Sequence, residues 1–218
     1  GQGYMCVLMK TDGGVKCWGS SYGSGAGPAA SSGPEPKDTI NLSGVVALAA
    51  GSSHNCALRN DGAVLCWGGD LCGRVGEAST ATRYLTTPQI VNGIGSAIGI
   101  STGASGQHSC ALIASFSARC WGYGISGQLG NGLTSSSNVP RQVAGGDAFA
   151  TIATGAYHTC AVTLGGAAKC WGYNSHGQLG DGSKTERYTP TTVLGLGSGV
   201  VDVTAGFSHS CALLATGT

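Results

Sequence analysis

Charged side chains are scarce in this sequence: Lys, Arg, Asp and Glu make up 10% of its 218 residues, against roughly 25% of an average soluble domain. The formal net charge is +1, and Lys and Arg nowhere form a cluster. A nucleic-acid partner calls for several phosphate-neutralising cations on one face, so none is expected. No apolar run approaches the roughly 18 residues of a membrane-crossing helix. There is no Gly-Lys-Ser or Gly-Lys-Thr phosphate loop. The carboxylates, Asp12, Glu35, Asp38, Asp61, Asp70, Glu77, Asp147, Asp181, Glu186 and Asp202, are scattered singly. No pair recurs at a spacing suited to general acid–base work, so no catalytic residue, enzyme activity or cofactor is expected. Residue 1 is Gly and no charged-then-apolar leader follows, which reads as a processed product or a piece of a longer chain.

What the sequence has in abundance is Gly, at 40 residues, and Cys, at 10. Both follow a repeat. Cys-Trp-Gly occurs at 17–19, 66–68, 120–122 and 170–172. A leading cysteine precedes each copy, at Cys6, Cys56, Cys110 and Cys160, and Cys211 continues the series. A period of about 50 residues is too long for helical hairpins and suits propeller blades. Aligned on the leading cysteine, each repeat has a β-rich segment ending in Gly (45–51, 97–103, 149–155, 200–206) and then His-x-Cys. The histidines are His54, His108, His158 and His209, with Tyr4 in that place in the first copy. A small residue, a turn and Cys-Trp-Gly follow, then Gly-Gln-Leu-Gly at 127–130 and 177–180 and a Pro-containing segment at Pro88, Pro140 and Pro190. Each repeat thus reads as about four short strands cornered by Gly and Pro.

Side chains alternate faces along a strand. If Cys160 lies opposite Cys170 in an antiparallel hairpin, Val162 faces Ala168 and Thr159 faces Trp171. Both faces then look buried, as in sheets stacked radially. The Ala after each cysteine (Ala57, Ala111, Ala161, Ala212) lets a neighbouring sheet approach closely.

The paired cysteines are Cys6 with Cys17, Cys56 with Cys66, Cys110 with Cys120 and Cys160 with Cys170. Opposed positions of a hairpin meet the distance requirements of a disulfide. Such bonds persist in an oxidising compartment, which predicts a secreted, extracellular or cell-surface protein. The competing reading is a metal held by His-x-Cys plus Cys, although each repeat offers at most three ligands where zinc wants four. Cys72 and Cys211 are left over, to stay unpaired or to bond another chain. Asn41-Leu42-Ser43 is the only N-glycosylation sequon, and Asn41 its acceptor. The recurrent histidines and tryptophans read as scaffold, the former hydrogen-bonded to a neighbouring loop and the latter packed between blades; His176, unique to its loop, reads as exposed.

The pattern Gly-x-x-His-[Ser/Thr]-Cys-Ala-Leu, Cys-Trp-Gly, Gly-Gln-Leu-Gly-[Asn/Asp]-Gly and Pro-x-x-Val resembles the repeat of the regulator-of-chromosome-condensation family over essentially the whole chain. The resemblance implies a β-propeller, seven-bladed in members of the family, and protein partners. The paired cysteines stand where intracellular members carry an aliphatic and a Ser, which looks like the extracellular bacterial branch and weakens transfer of a nuclear exchange-factor role. The expected fold is all-β, a single propeller-type repeat domain over residues 1–218. Its repeats start near Gly1, Gly51, Gly103, Gly155 and Gly206, four full repeats and part of a fifth. That count leaves a piece of a longer propeller, completion by another copy, or a smaller closed ring.

The expected function is a non-enzymatic binding scaffold whose variable stretches, 20–38, 69–87, 123–139 and 173–190, meet a protein or cell-surface partner. An alternative is a structural subunit of an extracellular filament or layer assembled head-to-tail from further copies of itself. Inhibition of an extracellular hydrolase is a variant suggested by the resemblance.

Overall fold

A computed structural model of the protein describes residues 3–10, 12–19, 33–39, 41–79, 81–103 and 105–217. The repeat start at Gly1 and most of the variable stretch 20–38 lie outside the described residues. The chain forms antiparallel strands in chain order, the only helix among the described residues being one 3₁₀ turn at Leu71–Gly73. No helix among them is long and apolar enough to cross a membrane. The first sheet holds β1 (Tyr4–Leu8), β2 (Val15–Gly19) and β3 (Gly33–Asp38). Three four-stranded sheets follow. The second comprises β4 (Val45–Ala50), β5 (His54–Arg59), β6 (Val64–Gly69) and β7 (Tyr84–Ile90). The third comprises β8 (Ala97–Thr102), β9 (His108–Ile113), β10 (Ala118–Gly122) and β11 (Ser137–Gln142). The fourth comprises β12 (Phe149–Thr154), β13 (His158–Thr163), β14 (Ala168–Gly172) and β15 (Arg187–Thr192). A ribbon of β16 (Val200–Ala205) and β17 (Ser210–Leu214) ends the series. No sheet closes on itself. The sheets begin one strand before the sequence repeat, at the β-rich segment rather than at the Gly that ends it.

The hairpin register is the one the alternation predicts: Thr159 opposes Trp171, Cys160 opposes Cys170 and Val162 opposes Ala168. The four cysteine pairs are bonded, Cys6–Cys17, Cys56–Cys66, Cys110–Cys120 and Cys160–Cys170, each with Cα atoms 4.1 Å apart. Both sulfurs of each repeat are thereby consumed, so the thiolates of the metal reading are not available. Cys72 and Cys211 are free.

Cys-Trp-Gly has a backbone job as well. In each of the first four sheets the pairing of the last two strands slips at the Trp, between Cys17 and Gly19, Cys66 and Gly68, Cys120 and Gly122, and Cys170 and Gly172. This β-bulge leaves the Trp out of the ladder with the sheet's last strand, while it stays paired across the hairpin, and turns the strand. Gly68 adopts φ +102°, and a Cβ there would lie 2.6 Å from the Ser53 carbonyl oxygen, so both conformation and space demand Gly.

The indole plugs the preceding sheet. Trp67 packs with Val15, Cys17 and Leu42 of the first unit. Trp121 packs with the Cys56 and Cys66 sulfurs, Val75 and Val91, and Trp171 with Cys110, Cys120, Leu129 and Val143. All three are fully buried. Ala57, Ala111 and Ala161 are fully buried in the same three clusters, which is the close approach expected of them. The equivalent space on the fourth sheet, about 310 Å³ lined by Cys160, Cys170, Leu179, Val193 and Val203, holds no indole among the described residues.

Candidate binding face

Antiparallel order sends two sets of links to the same end of every sheet. One joins the first strand to the second (51–53, 103–107, 155–157), and the other joins the third to the fourth (70–83, 123–136, 173–186). The hairpin turns and the links between sheets emerge at the opposite end. Three of the four variable stretches, 69–87, 123–139 and 173–190, therefore gather on one face, with 20–38 described only from residue 33.

That face is held rigidly from below. The Gln128 side-chain oxygen accepts from the Ser126 amide, and the Gln178 oxygen from the His176 amide. The Gln128 carbonyl in turn accepts from the Trp171 indole N–H at 3.0 Å and from the Thr159 hydroxyl at 2.9 Å. In the second sheet Arg74 takes the Gln position, and its carbonyl accepts from Trp121 at 3.0 Å and Ser109 at 3.2 Å. Asn174 ties the fourth loop together, accepting from the Leu179 amide and donating to the Ser183 and Thr185 carbonyls. Five of the ten scattered acids pair with nearby bases: Asp38 with Lys16, Asp61 with Arg59, Asp147 with Lys169, Asp181 with Arg187 and Glu77 with Arg83.

The recurrent histidines lie beneath the face, fully buried at His54, His108 and His158. Their partner is not a loop, as expected, but a hydroxyl on the second strand of the next sheet. His54 Nε2 reaches Ser109 Oγ at 2.9 Å, His108 reaches Thr159 Oγ1 at 2.8 Å, and His158 reaches Ser210 Oγ at 2.9 Å. Each hydroxyl already donates its one proton to a loop carbonyl. The imidazole therefore donates from Nε2, leaving Nδ1 bare and without a partner. Burial, with the neighbouring His158 adding to it, pushes His108 down to about 3; burial and His209 push His158 down to about 4. His54 is lowered by burial, then by Arg74 and His108. These are neutral locks between sheets. Tyr4 does the same work in the first copy, its hydroxyl lying 2.9 Å from the Gly51 carbonyl and 2.8 Å from that of His54.

An aromatic cluster on this face went unread in the sequence. Tyr157 meets Tyr123 at 6.0 Å between ring centroids, Tyr173 at 6.3 Å and Phe207 at 6.1 Å, all edge to face. His176 lies 6.4 Å from Tyr173. With Ser126 and Ser208 these rings line a concavity of about 300 Å³. The signal was present, since Tyr123 and Tyr173 both follow Cys-Trp-Gly. Tyr157 and Phe207 fall at different offsets before their histidines, so only the packing of sheets brings them together. Of the other singled-out residues, Cys72 is half-buried in the 3₁₀ turn, Cys211 is exposed on β17, and Asn41 is exposed away from the cluster.

Comparison with known proteins agrees with this architecture. Family models described as "Regulator of chromosome condensation (RCC1) repeat" match residues 120–162 and 170–213, and 45–74 and 149–178. Among solved structures, Prp20p of Saccharomyces cerevisiae is similar at 20% identity and a TM-score of 0.82, over 97% of this chain and 54% of that one. That structure was described with its binding to Gsp1p and histones. Human WBSCR16 is similar at 24% identity and a TM-score of 0.84, over 98% and 56%. The ectodomain of the Physcomitrella patens receptor kinase CR4 is similar at 25% identity and a TM-score of 0.61, over 99% and 48%. The chain thus spans about half the length of these structures. With more than half of its residues matched by the repeat models, and its sheets in one recurring strand order, the chain belongs to the regulator of chromosome condensation (RCC1) repeat family.

Proposed function

We propose that residues 1–218 act as one propeller-type unit of an exported, non-enzymatic protein-binding scaffold. The observation that carries this reading is the pairing of disulfide-pinned sheets with a single loop face exposing aromatic side chains. Tyr and Phe at the centre of a concave patch supply large contact area at low ordering cost, as at protein hot spots. The family and fold are mainly those of binding proteins, and the Prp20p neighbour binds proteins. Export is supported by four bonded cysteine pairs and by the likeness to an ectodomain. In a glycosylating route, exposed Asn41, at φ +59°, is the acceptor.

Two measurements test this. Alkylation of denatured protein from its native source should find two reactive thiols, at Cys72 and Cys211; finding all ten would sink export. Crosslinking on intact cells should capture a protein through 123–136 or 173–186 and lose it with Tyr157→Ala. Capture only through the opposite face would overturn the assignment.

A further inference from the structure

The concavity around Tyr157 carries more chemistry than a flat apolar contact uses. Tyr157 stands at 63°, 73° and 85° to Tyr123, Tyr173 and Phe207, so the rings form a concave wall rather than a parallel stack. Phe207 is 59% exposed. No Asp, Glu, Lys or Arg lines the space. The hydroxyls of Tyr123, Tyr157, Tyr173, Ser126 and Ser208 make no hydrogen bond among the described residues.

Four amides of the flanking main chain, by contrast, are spent. The Tyr123 amide donates to the Gln107 carbonyl at 3.0 Å, and the Tyr173 amide to the Tyr157 carbonyl at 2.9 Å. The Ser126 and His176 amides donate to the Gln128 and Gln178 side chains. An extended peptide depends on a run of free main-chain partners, which these four committed amides interrupt, and a charged ligand on an opposite Asp, Glu, Lys or Arg, which the lining lacks. It offers electron-rich ring faces, which attract partly positive C–H groups, and hydroxyls that both donate and accept. A pyranose ring has this same combination, an apolar C–H face bordered by hydroxyls. The volume, about 300 Å³, falls at the lower end of ligand pockets, roughly 300–1,000 Å³.

We propose that the cradle of Tyr123, Tyr157, Tyr173 and Phe207 is a binding site for a neutral saccharide. One sugar ring lies against the aromatic wall while its hydroxyls exchange hydrogen bonds with Tyr, Ser126, Ser208 and the His176 imidazole. This goes beyond the protein-partner reading and does not depend on it.

The test is a glycan array of neutral and charged saccharides probed with the 218-residue chain, followed by calorimetric titration of the strongest neutral tetrasaccharide. Saturable binding with a dissociation constant on the order of 0.1–1 mM is expected, unchanged between low and high salt. Tyr157→Ala and Tyr173→Ala should each weaken it at least tenfold, Tyr157→Phe less. Leu194→Ala, exposed at the opposite end of the sheets, should leave it unchanged. Thermal midpoints of the variants confirm folding. Absence of binding to every neutral saccharide, preference for charged ones, or binding that survives Tyr157→Ala and Tyr173→Ala overturns the proposal. If sugar binding fails while protein capture through this face persists, only the saccharide assignment falls.

Discussion

A single histidine position explains much of how neighbouring sheets are held together. Its imidazole stays neutral because it is buried, and, with the Nε2 proton already given to a hydroxyl, a second proton on Nδ1 would find no acceptor. Gly51 precedes it for a steric reason: a Cβ there would lie 2.5 Å from His54 Nδ1. The consequence is a pH dependence with a definite sign. His108 and His158 hold folded values near 3 and 4, below the ordinary value of roughly 6.5. The unfolded chain therefore binds protons that the native state refuses. Stability is complete above about pH 6.5 and falls as the pH drops toward 4, by up to about 1.4 kcal/mol per pH unit for each histidine. Urea midpoints measured from pH 7.5 to 4 should fall continuously through this window. A midpoint unchanged down to pH 4.5 would show that the imidazoles charge freely. The sequence made the histidines legible as scaffold; the hydroxyl partner was not, because it lies about 50 residues away on another sheet.

At the scale of the element, the unit is a hairpin carrying one disulfide and one bulge. The disulfide closes a loop of about ten residues and contributes roughly 2–3 kcal/mol by restricting the unfolded chain. Replacing Cys110 and Cys120 together by Ser should lower stability by about that amount, plus the cost of burying two hydroxyls among apolar neighbours. The far-UV spectrum should stay β-rich, since the strand ladder is independent of the bond. Equilibrium unfolding under matched conditions gives the difference, and a change below about 0.5 kcal/mol would mean the staple is idle. The strands, their order within a repeat and the cross-strand cysteines were all legible, because period-two alternation and constant spacing are local properties. The bulge at Trp was not: a slipped register depends on the fourth strand, which the sequence places only by its Pro.

For the whole molecule, stability is carried by interfaces between successive sheets: an indole plug and a histidine lock join the second sheet to the third and the third to the fourth, Tyr4 replaces the histidine between the first and second, and His158 alone serves between the fourth sheet and the last ribbon. Such a stack behaves as a series of neighbour-coupled units rather than one indivisible core. Trp171→Ala removes the plug between the third and fourth sheets and should cost about 3–5 kcal/mol. Hydrogen exchange should show faster opening confined to 149–217, with amides of 54–69 keeping their protection. Uniform acceleration along the chain would instead indicate one cooperative block. The same arrangement sets the binding face, since each sheet sends its longest links to one end.

The sequence by itself determined the repeat, the strands, which face of each hairpin is thiol and which is indole, and which cysteines meet. All of these follow from contacts within about a dozen residues, where chain connectivity leaves little choice. Tertiary structure alone decided what each indole and imidazole touches, and that Tyr123, Tyr157, Tyr173 and Phe207 converge. The hydrogen bonds among them join residues 31 to 55 positions apart, and their geometry is set by the rotation from one sheet to the next, which no local spacing encodes.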